Sequence, residues 1–135
     1  LLLPQLLCYY DKVIYLDSDL IVLRDMADLF AIDISDHLLA AVIDADMAGE
    51  YSGAVPGGKA YCDTVLKLEN PYSYFQAGVL LLNLRAFRES FAPGELLVFA
   101  AERAYRYVDQ DVLNVKCAGR ICTLDMNWRR GSRTS

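Results

Sequence analysis

Two aspartates, Asp17 and Asp19, interrupt an apolar run that extends from residue 12 to residue 22. The segment before them, residues 13–16, predicts a buried parallel strand, because unbroken apolar runs are typical of strands covered on both faces. Open α/β sheets bind ligands at the carboxyl ends of their strands, so the two carboxylates would lie at the mouth of a site. Carboxylate oxygens are ligands that suit Mg²⁺ or Mn²⁺. This segment therefore predicts an α/β sheet with a divalent cation site at a strand end.

The composition fits one domain with a substantial apolar core. Of the 135 residues, 55% are apolar, and the mean hydropathy is +0.21. The net charge of −5 argues against a nucleic-acid-binding protein, because binding to phosphates requires a basic face. No apolar stretch reaches the roughly 20 residues that a transmembrane helix needs, so we expect no membrane-spanning segment.

The cysteines do not predict a zinc site. The four cysteines (Cys8, Cys62, Cys117 and Cys122) lack paired C-x-x-C spacing, and His37 is the only histidine. Buried reduced thiols are the favoured interpretation, and they indicate a reducing compartment. Residues 1–7 lack a starting Met and a basic flank, so we interpret them as a helix from a longer chain and not as a signal peptide.

Periodicity and turn residues divide the chain into alternating elements. Helical segments are predicted at 1–9, 59–68, 93–105 and 109–117, and a turn or one helical turn at 25–30. Strands are predicted at 12–17, 20–23, 37–43, 78–84 and 120–124, and a functional loop at 47–58. The strand at 37–43 also ends on carboxylates, Asp44 and Asp46. We therefore expect these carboxylates to face the same crevice as Asp17 and Asp19.

Each candidate motif also has a purely structural explanation. In an arbitrary D-x-D, one aspartate caps a turn, but burying two carboxylates beside residues 13–16 without a cation is costly, which favours metal binding. Haloacid-dehalogenase-like phosphotransferases use a similar strand end, but a small residue and Thr usually follow their D-x-D. Here residues 20–22 are Leu-Ile-Val. That difference argues against a phosphotransferase.

Three further polar groups could be structural or functional. Asp44 could be a buried strand-end carboxylate or a ligand for sugar hydroxyls. Gln76 could mark a strand entry or present an amide to a sugar, with Gly78 either permitting a bend or allowing close backbone approach. Residues 109–111, Asp-Gln-Asp, could cap a helix or contribute to a site, and the two roles are compatible.

In this order, the segments resemble the family 8 glycosyltransferases, which include lipopolysaccharide galactosyl- and glucosyltransferases and glycogenin. The matching motifs are YDKVIYLDSD at 10–19, FQAGVLLLNL at 75–84, DQDVLN at 109–114 and LDMNW at 124–128. The resemblance implies a GT-A fold, which is an α/β fold with a mostly parallel sheet and flanking helices. It also implies transfer of a hexose from a UDP-sugar to a saccharide or other hydroxyl acceptor, with retention at the anomeric carbon.

The resemblance also assigns a role to each candidate residue. Asp17 and Asp19 would bind Mn²⁺ or Mg²⁺, Asp109 and Gln110 would be catalytic, and Ser18, Asp44, Gln76, Ala77 and Gly78 would bind substrate. The expected partners are the UDP-sugar donor and the saccharide acceptor. The expected setting is bacterial lipopolysaccharide biosynthesis, in the cytoplasm or at the inner face of the membrane.

The chain departs from the family pattern at several points. Position 76 is usually Asn in the family, and Asn usually follows Trp128, where Arg129 stands here. We interpret residues 1–128 as the central part of a single GT-A domain that is incomplete at both ends. The family's amino-terminal nucleotide-binding segment and carboxyl-terminal H-x-x-G-x-x-K-P-W segment would lie outside it. Residues 129–135 are predicted to be a disordered or non-native tail.

Two hypotheses about this polypeptide follow. It is either the catalytic centre of a metal-dependent UDP-sugar transferase, or a truncated and catalytically silent copy that acts as an interaction or oligomerising module. In both cases the strand at 12–17 would lose a neighbour, and an apolar unpaired edge favours self-association.

Overall fold

A computed structural model describes residues 1–128 of the protein. The strands are β1 (Lys12–Leu16), β2 (Leu39–Ile43), β3 (Phe75–Asn83) and β4 (Ile121–Thr123). The α-helices are α1 (Leu3–Leu6), α2 (Met26–Phe30), α3 (Ala45–Gly49), α4 (Gly58–Tyr61), α5 (Leu84–Ser90), α6 (Glu95–Ala101) and α7 (Val108–Lys116). Short π-helical segments continue α3 and α4 over Glu50–Ala54 and Cys62–Leu66, and 3₁₀ turns lie at Pro71–Ser73 and Met126–Trp128.

The four strands form one sheet in the order β1-β3-β2-β4. The α/β class is therefore confirmed, and among these four strands β1, β2 and β4 run in one direction while β3 runs in the opposite direction. β3 pairs antiparallel with both β1 and β2, and only β2 and β4 pair in parallel. An apolar run reports that a central strand is covered on both faces, but it carries no information about strand direction.

The central strand β3 divides the core into two layers. Leu80 and Leu82 pack into the larger layer, together with residues from α5, α6 and α7. Val79 and Leu81 point to the other face and pack into a smaller layer that contains Trp128. Successive side chains of β3 point to opposite faces of the sheet, and each face is covered by one of the two layers. Most of the nine residues of β3 are therefore buried.

The prediction that residues 13–16 are buried and parallel is wrong. Within residues 1–128, β1 is an edge strand that pairs with β3 alone. Its residues are consequently half-buried, and Tyr15 is exposed. The predicted exposed edge is confirmed by this topology, whereas self-association through it stays a prediction.

Several element boundaries differ from the predictions for local reasons. Residues 20–23 form no strand, and Ile21 and Leu23 are exposed. The predicted loop at 47–58 is largely helical, with a kink at Gly53, where φ is +102°. Helix α5 was not predicted, because the apolar run of β3 continues into it. Asn83 ends β3 and starts α5 by accepting a hydrogen bond from the backbone N–H of Ala86.

The other predictions are largely confirmed. β2, β4, α2, α4 and α7 lie within or close to their predicted ranges, and α6 is shorter than expected. Cys62 and Cys117 are buried free thiols, but the burial predicted for all four cysteines is wrong for Cys8, which is exposed, and holds only in part for Cys122, which is half-buried. No helix in the described part of the chain is long and apolar enough to cross a membrane. The predicted tail at 129–135 lies outside the described residues.

Candidate functional site

A cavity of about 900 Å³ opens at the end of β1 and extends along the face of β3. Seven of the nine predicted site residues line it: Asp17, Asp44, Gln76, Ala77, Gly78, Asp109 and Gln110. Ser18 and Asp19 are exposed and do not belong to its wall. The structure thus brings together segments that are far apart in the sequence, and the expected common crevice is confirmed for Asp17, Asp44 and Asp46.

The pairing of β1 with β3 joins the first two motifs. The ladder ends with Leu16 opposite Val79, and the next backbone bond runs from Asp17 N–H to the Gly78 carbonyl at 2.9 Å. The Tyr15 hydroxyl donates to Asp17 Oδ1 at 3.1 Å. Burial raises the pKa of Tyr15, and so do the hydrogen bond to Asp17 and the nearby charges of Asp17 and Asp109. Antiparallel register therefore sets the Asp17 backbone beside Gly78.

Asp44 caps a helix and also lines the cavity. One carboxylate oxygen, Oδ1, caps α3 by accepting from the backbone N–H groups of Asp46 at 3.0 Å and Met47 at 3.3 Å. The other, Oδ2, accepts from Gln110 Nε2 at 3.2 Å. The structure thus shows a half-buried strand-end carboxylate that caps α3 and contacts Gln110, and binding of sugar hydroxyls by Asp44 stays a prediction.

The Gln110 carboxamide links three elements. Its Oε1 accepts from the backbone N–H of Ala77 on β3 at 2.9 Å. Its Nε2 donates to Asp44 at the end of β2 and to the hydroxyl of Tyr74 at 3.1 Å. Because Gln110 also lines the cavity, its amide is a positioned polar group and not a mobile surface side chain.

The two aspartates of the third motif have opposite environments. α7 begins at Val108, so its N-cap is Tyr107 and not an aspartate as the capping hypothesis expected. Asp109 is exposed at the cavity, whereas Asp111 is fully buried. Residues two positions apart on an α-helix point to nearly opposite sides, which explains the difference.

Asp111 forms a buried network that the sequence analysis missed. Its Oδ1 accepts from the Tyr74 hydroxyl at 2.5 Å, and its Oδ2 accepts from the Tyr61 hydroxyl and from the Tyr107 backbone N–H at 3.1 Å. Burial is the main cause that raises the pKa of both tyrosines, and the hydrogen bonds to Asp111 raise it further. Both phenols therefore keep their protons and stay donors. Tyr61 and Tyr74 are 50 and 37 residues from Asp111, so no local pattern could have indicated the network.

Asn114, one helical turn after Gln110, was also missed. Its side chain accepts from the backbone N–H of Phe75 and donates to the carbonyl of Phe75, both at 2.8 Å. It also donates to the Gln110 carbonyl at 2.9 Å. Asn114 thus fastens α7 to the beginning of β3, and the D-Q-D-x-x-N spacing was the available signal, since residues i and i+4 share a helix face.

The cavity wall is acidic at its mouth and apolar at its other end. Five carboxylates line it, those of Asp17, Asp44, Asp46, Glu50 and Asp109, and among residues 1–128 no lysine or arginine does. Glu50 is paired with Arg106 at 3.0 Å. The apolar part is lined by residues of α1, β3, α5 and α6, including Leu3, Leu80, Phe87 and Leu96.

The donor set fits a divalent cation only in part. Asp17 and Asp19 supply hard carboxylate oxygens of the kind that Mn²⁺ and Mg²⁺ bind. Within the described residues, no group of three or more His, Cys, Asp or Glu side chains is arranged to hold a metal. A cation bound by these two carboxylates would therefore need further ligands, such as substrate oxygens and water.

Comparison with known proteins gives a consistent result. The chain matches the family model "Glycosyl transferase family 8" over residues 1–131. A putative glycosyltransferase of Haemophilus influenzae is 35% identical over 115 residues, which are 82% of this chain and 32% of that protein. The lipopolysaccharide 1,2-glucosyltransferase of Escherichia coli K12 is 26% identical over 114 residues, which are 81% of this chain and 30% of that protein. The chain thus spans less than one third of the length of either relative.

Solved structures resemble the fold over most of the chain. The apo structure of the bifunctional glycosyltransferase WbbM has a TM-score of 0.85 and 30% identity, and covers 93% of this chain and 24% of its own. LgtC in complex with donor and acceptor sugar analogs has a TM-score of 0.62 and 28% identity, and covers 87% of this chain and 40% of its own. An active-site glutamine-to-glutamate mutant of LgtC has a TM-score of 0.68 with the same identity. These likenesses confirm the GT-A fold.

Proposed function

Because the chain belongs to glycosyl transferase family 8, we propose that its cavity is the donor side of a site that transfers a hexose from a UDP-sugar to a hydroxyl acceptor, with retention at the anomeric carbon. The observation that carries the proposal is the meeting of Asp17, Asp44, Gln76 and Gln110 on one cavity wall. These residues come from four separate segments, and all four present oxygen or amide groups of the kind that bind sugar hydroxyls and cations.

The charge of the cavity supports a metal-dependent mechanism. Five carboxylates would repel a diphosphate, and among residues 1–128 no lysine or arginine lines the cavity to offset them. Mn²⁺ or Mg²⁺, held by Asp17 and Asp19, would neutralise the negative charge that builds on the departing diphosphate. Asp19 is exposed beyond the cavity wall, where a diphosphate could reach it from solvent.

Gln110 and Asp109 are the candidates for stabilising the reacting sugar. Glycosyl transfer passes through an oxocarbenium-like state, which a nearby carboxylate or amide oxygen stabilises. Retention usually suggests a covalent intermediate, but an amide is a poor nucleophile. We therefore favour front-face attack, in which the leaving phosphate helps to deprotonate the acceptor. A trapped glycosyl adduct on Gln110 or Asp109 would contradict it.

The relatives support a saccharide as the acceptor. LgtC is a galactosyltransferase that has been crystallised with donor and acceptor sugar analogs, and the Escherichia coli relative is a lipopolysaccharide glucosyltransferase. By analogy, we propose that the acceptor hydroxyl belongs to a bacterial lipopolysaccharide precursor. Sugar transfer would then take place in the cytoplasm or at the inner face of the membrane.

Calorimetric titration with UDP and Mn²⁺ tests the proposal on the chain itself. We expect the wild type to bind UDP only when Mn²⁺ is present. Asp19→Ala should abolish this binding. Asp36→Ala is the matched control, because Asp36 is an exposed aspartate outside the cavity wall, and it should bind as the wild type does. Absence of binding at about 1 mM ligand, equivalent to about −4.1 kcal/mol, would contradict the proposal and favour a catalytically silent module.

A further inference from the structure

The hydrogen bonds around Gln110 allow only one orientation of its carboxamide. The backbone N–H of Ala77 can only donate, so it must face Oε1, which lies 2.9 Å away. The carboxylate of Asp44 only accepts when ionised, so it must face Nε2 at 3.2 Å. A rotation of the amide by half a turn would set two donors against each other at Ala77 and two acceptors at Asp44.

Tyr74 contributes the third contact, and its role is set by a buried charge. Its hydroxyl donates to Oδ1 of the fully buried Asp111 at 2.5 Å. Burial and this hydrogen bond raise the pKa of Tyr74, so the phenol keeps its proton. With that proton committed to Asp111, the hydroxyl offers only lone pairs to Gln110, whose Nε2 lies 3.1 Å away.

We propose that Tyr74 is a positioning residue for sugar transfer, which uses the buried charge of Asp111 to lock the Gln110 carboxamide with its carbonyl oxygen at the β3 side of the cavity. The inference rests on the proposed function, because that function sets Gln110 beside the donor sugar. The locked orientation matters chemically, since an amide oxygen stabilises a developing positive charge and an amide NH₂ group does not.

Tyr61 provides a matched control within the same network. Its hydroxyl donates to the other oxygen of Asp111, and burial raises its pKa as it does for Tyr74. Tyr61 makes its further contact with the backbone N–H of Arg106, at 2.9 Å, whereas Tyr74 contacts Gln110. Tyr61→Phe and Tyr74→Phe therefore remove the same group from the same carboxylate, and only the second removes a contact to Gln110.

Nuclear magnetic resonance on the chain labelled with ¹⁵N-glutamine tests the orientation of the Gln110 carboxamide without any substrate. The sequence has three glutamines, Gln5, Gln76 and Gln110, and Gln110→Glu identifies the third side-chain signal by its loss. We expect Tyr74→Phe to shift this signal and to speed exchange of its protons with water about five- to tenfold, the loss of one net hydrogen bond. Tyr61→Phe should leave the exchange within about twofold of the wild type.

Equal effects of the two tyrosine variants, or no effect of either, would overturn the positioning role. If Tyr74→Phe does not fold, Asp111→Asn replaces it, because that change removes the buried charge at constant size and should move the same signal. An unmoved Gln110 signal in folded Asp111→Asn would again overturn the proposal.

Kinetics of sugar transfer separate this inference from the proposed function. In an active protein, Tyr74→Phe should lower kcat and leave the KM for the donor unchanged, and Tyr61→Phe should change neither. If the wild type neither binds UDP nor transfers sugar, the proposed function fails and the resonance experiment still decides whether Tyr74 orients Gln110. If the wild type is active and kcat is equal in both variants, the positioning role alone fails.

Discussion

Replacing Asn114 with alanine is expected to detach the beginning of β3 from α7. The Asn114 amide is almost fully buried and makes three hydrogen bonds, two to the backbone of Phe75 and one to the carbonyl of Gln110. Phe75 is itself fully buried, so water cannot replace the lost partner of its backbone N–H. The substitution therefore removes hydrogen bonds and leaves a buried donor unsatisfied.

The expected loss of stability is large for a polar residue. The two lost bonds to carbonyl groups contribute about 1 kcal/mol net each, and the unsatisfied buried N–H of Phe75 costs about 1–3 kcal/mol, so we expect a loss of about 3–5 kcal/mol. Total stabilities of domains are about 5–15 kcal/mol, so this is a substantial share.

Urea unfolding followed by circular dichroism measures the loss, and hydrogen exchange of the Phe75 amide locates it. Asn127→Ala is the matched control, because Asn127 is exposed, and we expect it to change stability by less than about 0.5 kcal/mol. The argument is refuted if Asn114→Ala behaves like the control and the Phe75 amide keeps its protection from exchange.

Four more predictions follow from packing, titration, thiol exposure and topology. Gly58→Ala should destabilise the fold by about 1–3 kcal/mol, because the added Cβ would lie 2.6 Å from the Glu50 carbonyl oxygen. Gly49→Ala is the control, because its Cβ would make only an ordinary contact at 3.9 Å. Thermal unfolding of both variants measures the difference. Burial raises the pKa of Cys117 to about 12 from the ordinary 9.0, so its contribution to stability is complete below pH 9 and is lost as the pH rises towards 12. The urea midpoint of unfolding, measured at pH 7, 9 and 10.5, should fall with rising pH in the wild type and fall less in Cys117→Ala. Of the four cysteines, the exposed Cys8 should react first with a thiol reagent at pH 8. The exposed edge of β1 should produce self-association, and size exclusion with light scattering that shows a stable monomer would contradict it.

The sequence predicted much of the fold because its signals are local. Apolar runs located β2 and β3, and periodicity with a following Gly119 located α7. The rule that strand ends carry ligands correctly brought Asp17 and Asp44 to one cavity. Glycines and Pro56 at 47–58 misled the prediction, because the structure makes those residues helical with a kink at Gly53.

The sequence by itself determined the strand that ends just before Asp17, the helix that carries Gln110, and the family to which the chain belongs. Tertiary structure alone decided that β3 runs antiparallel to its neighbours, that Asp109 faces the cavity while Asp111 is buried, and that Tyr74 lies between Asp111 and Gln110. The physical reason is the separation of the partners along the chain. Tyr74 and Asp111 are 37 residues apart and meet only when α7 packs against the sheet, so no local sequence pattern predicts their contact.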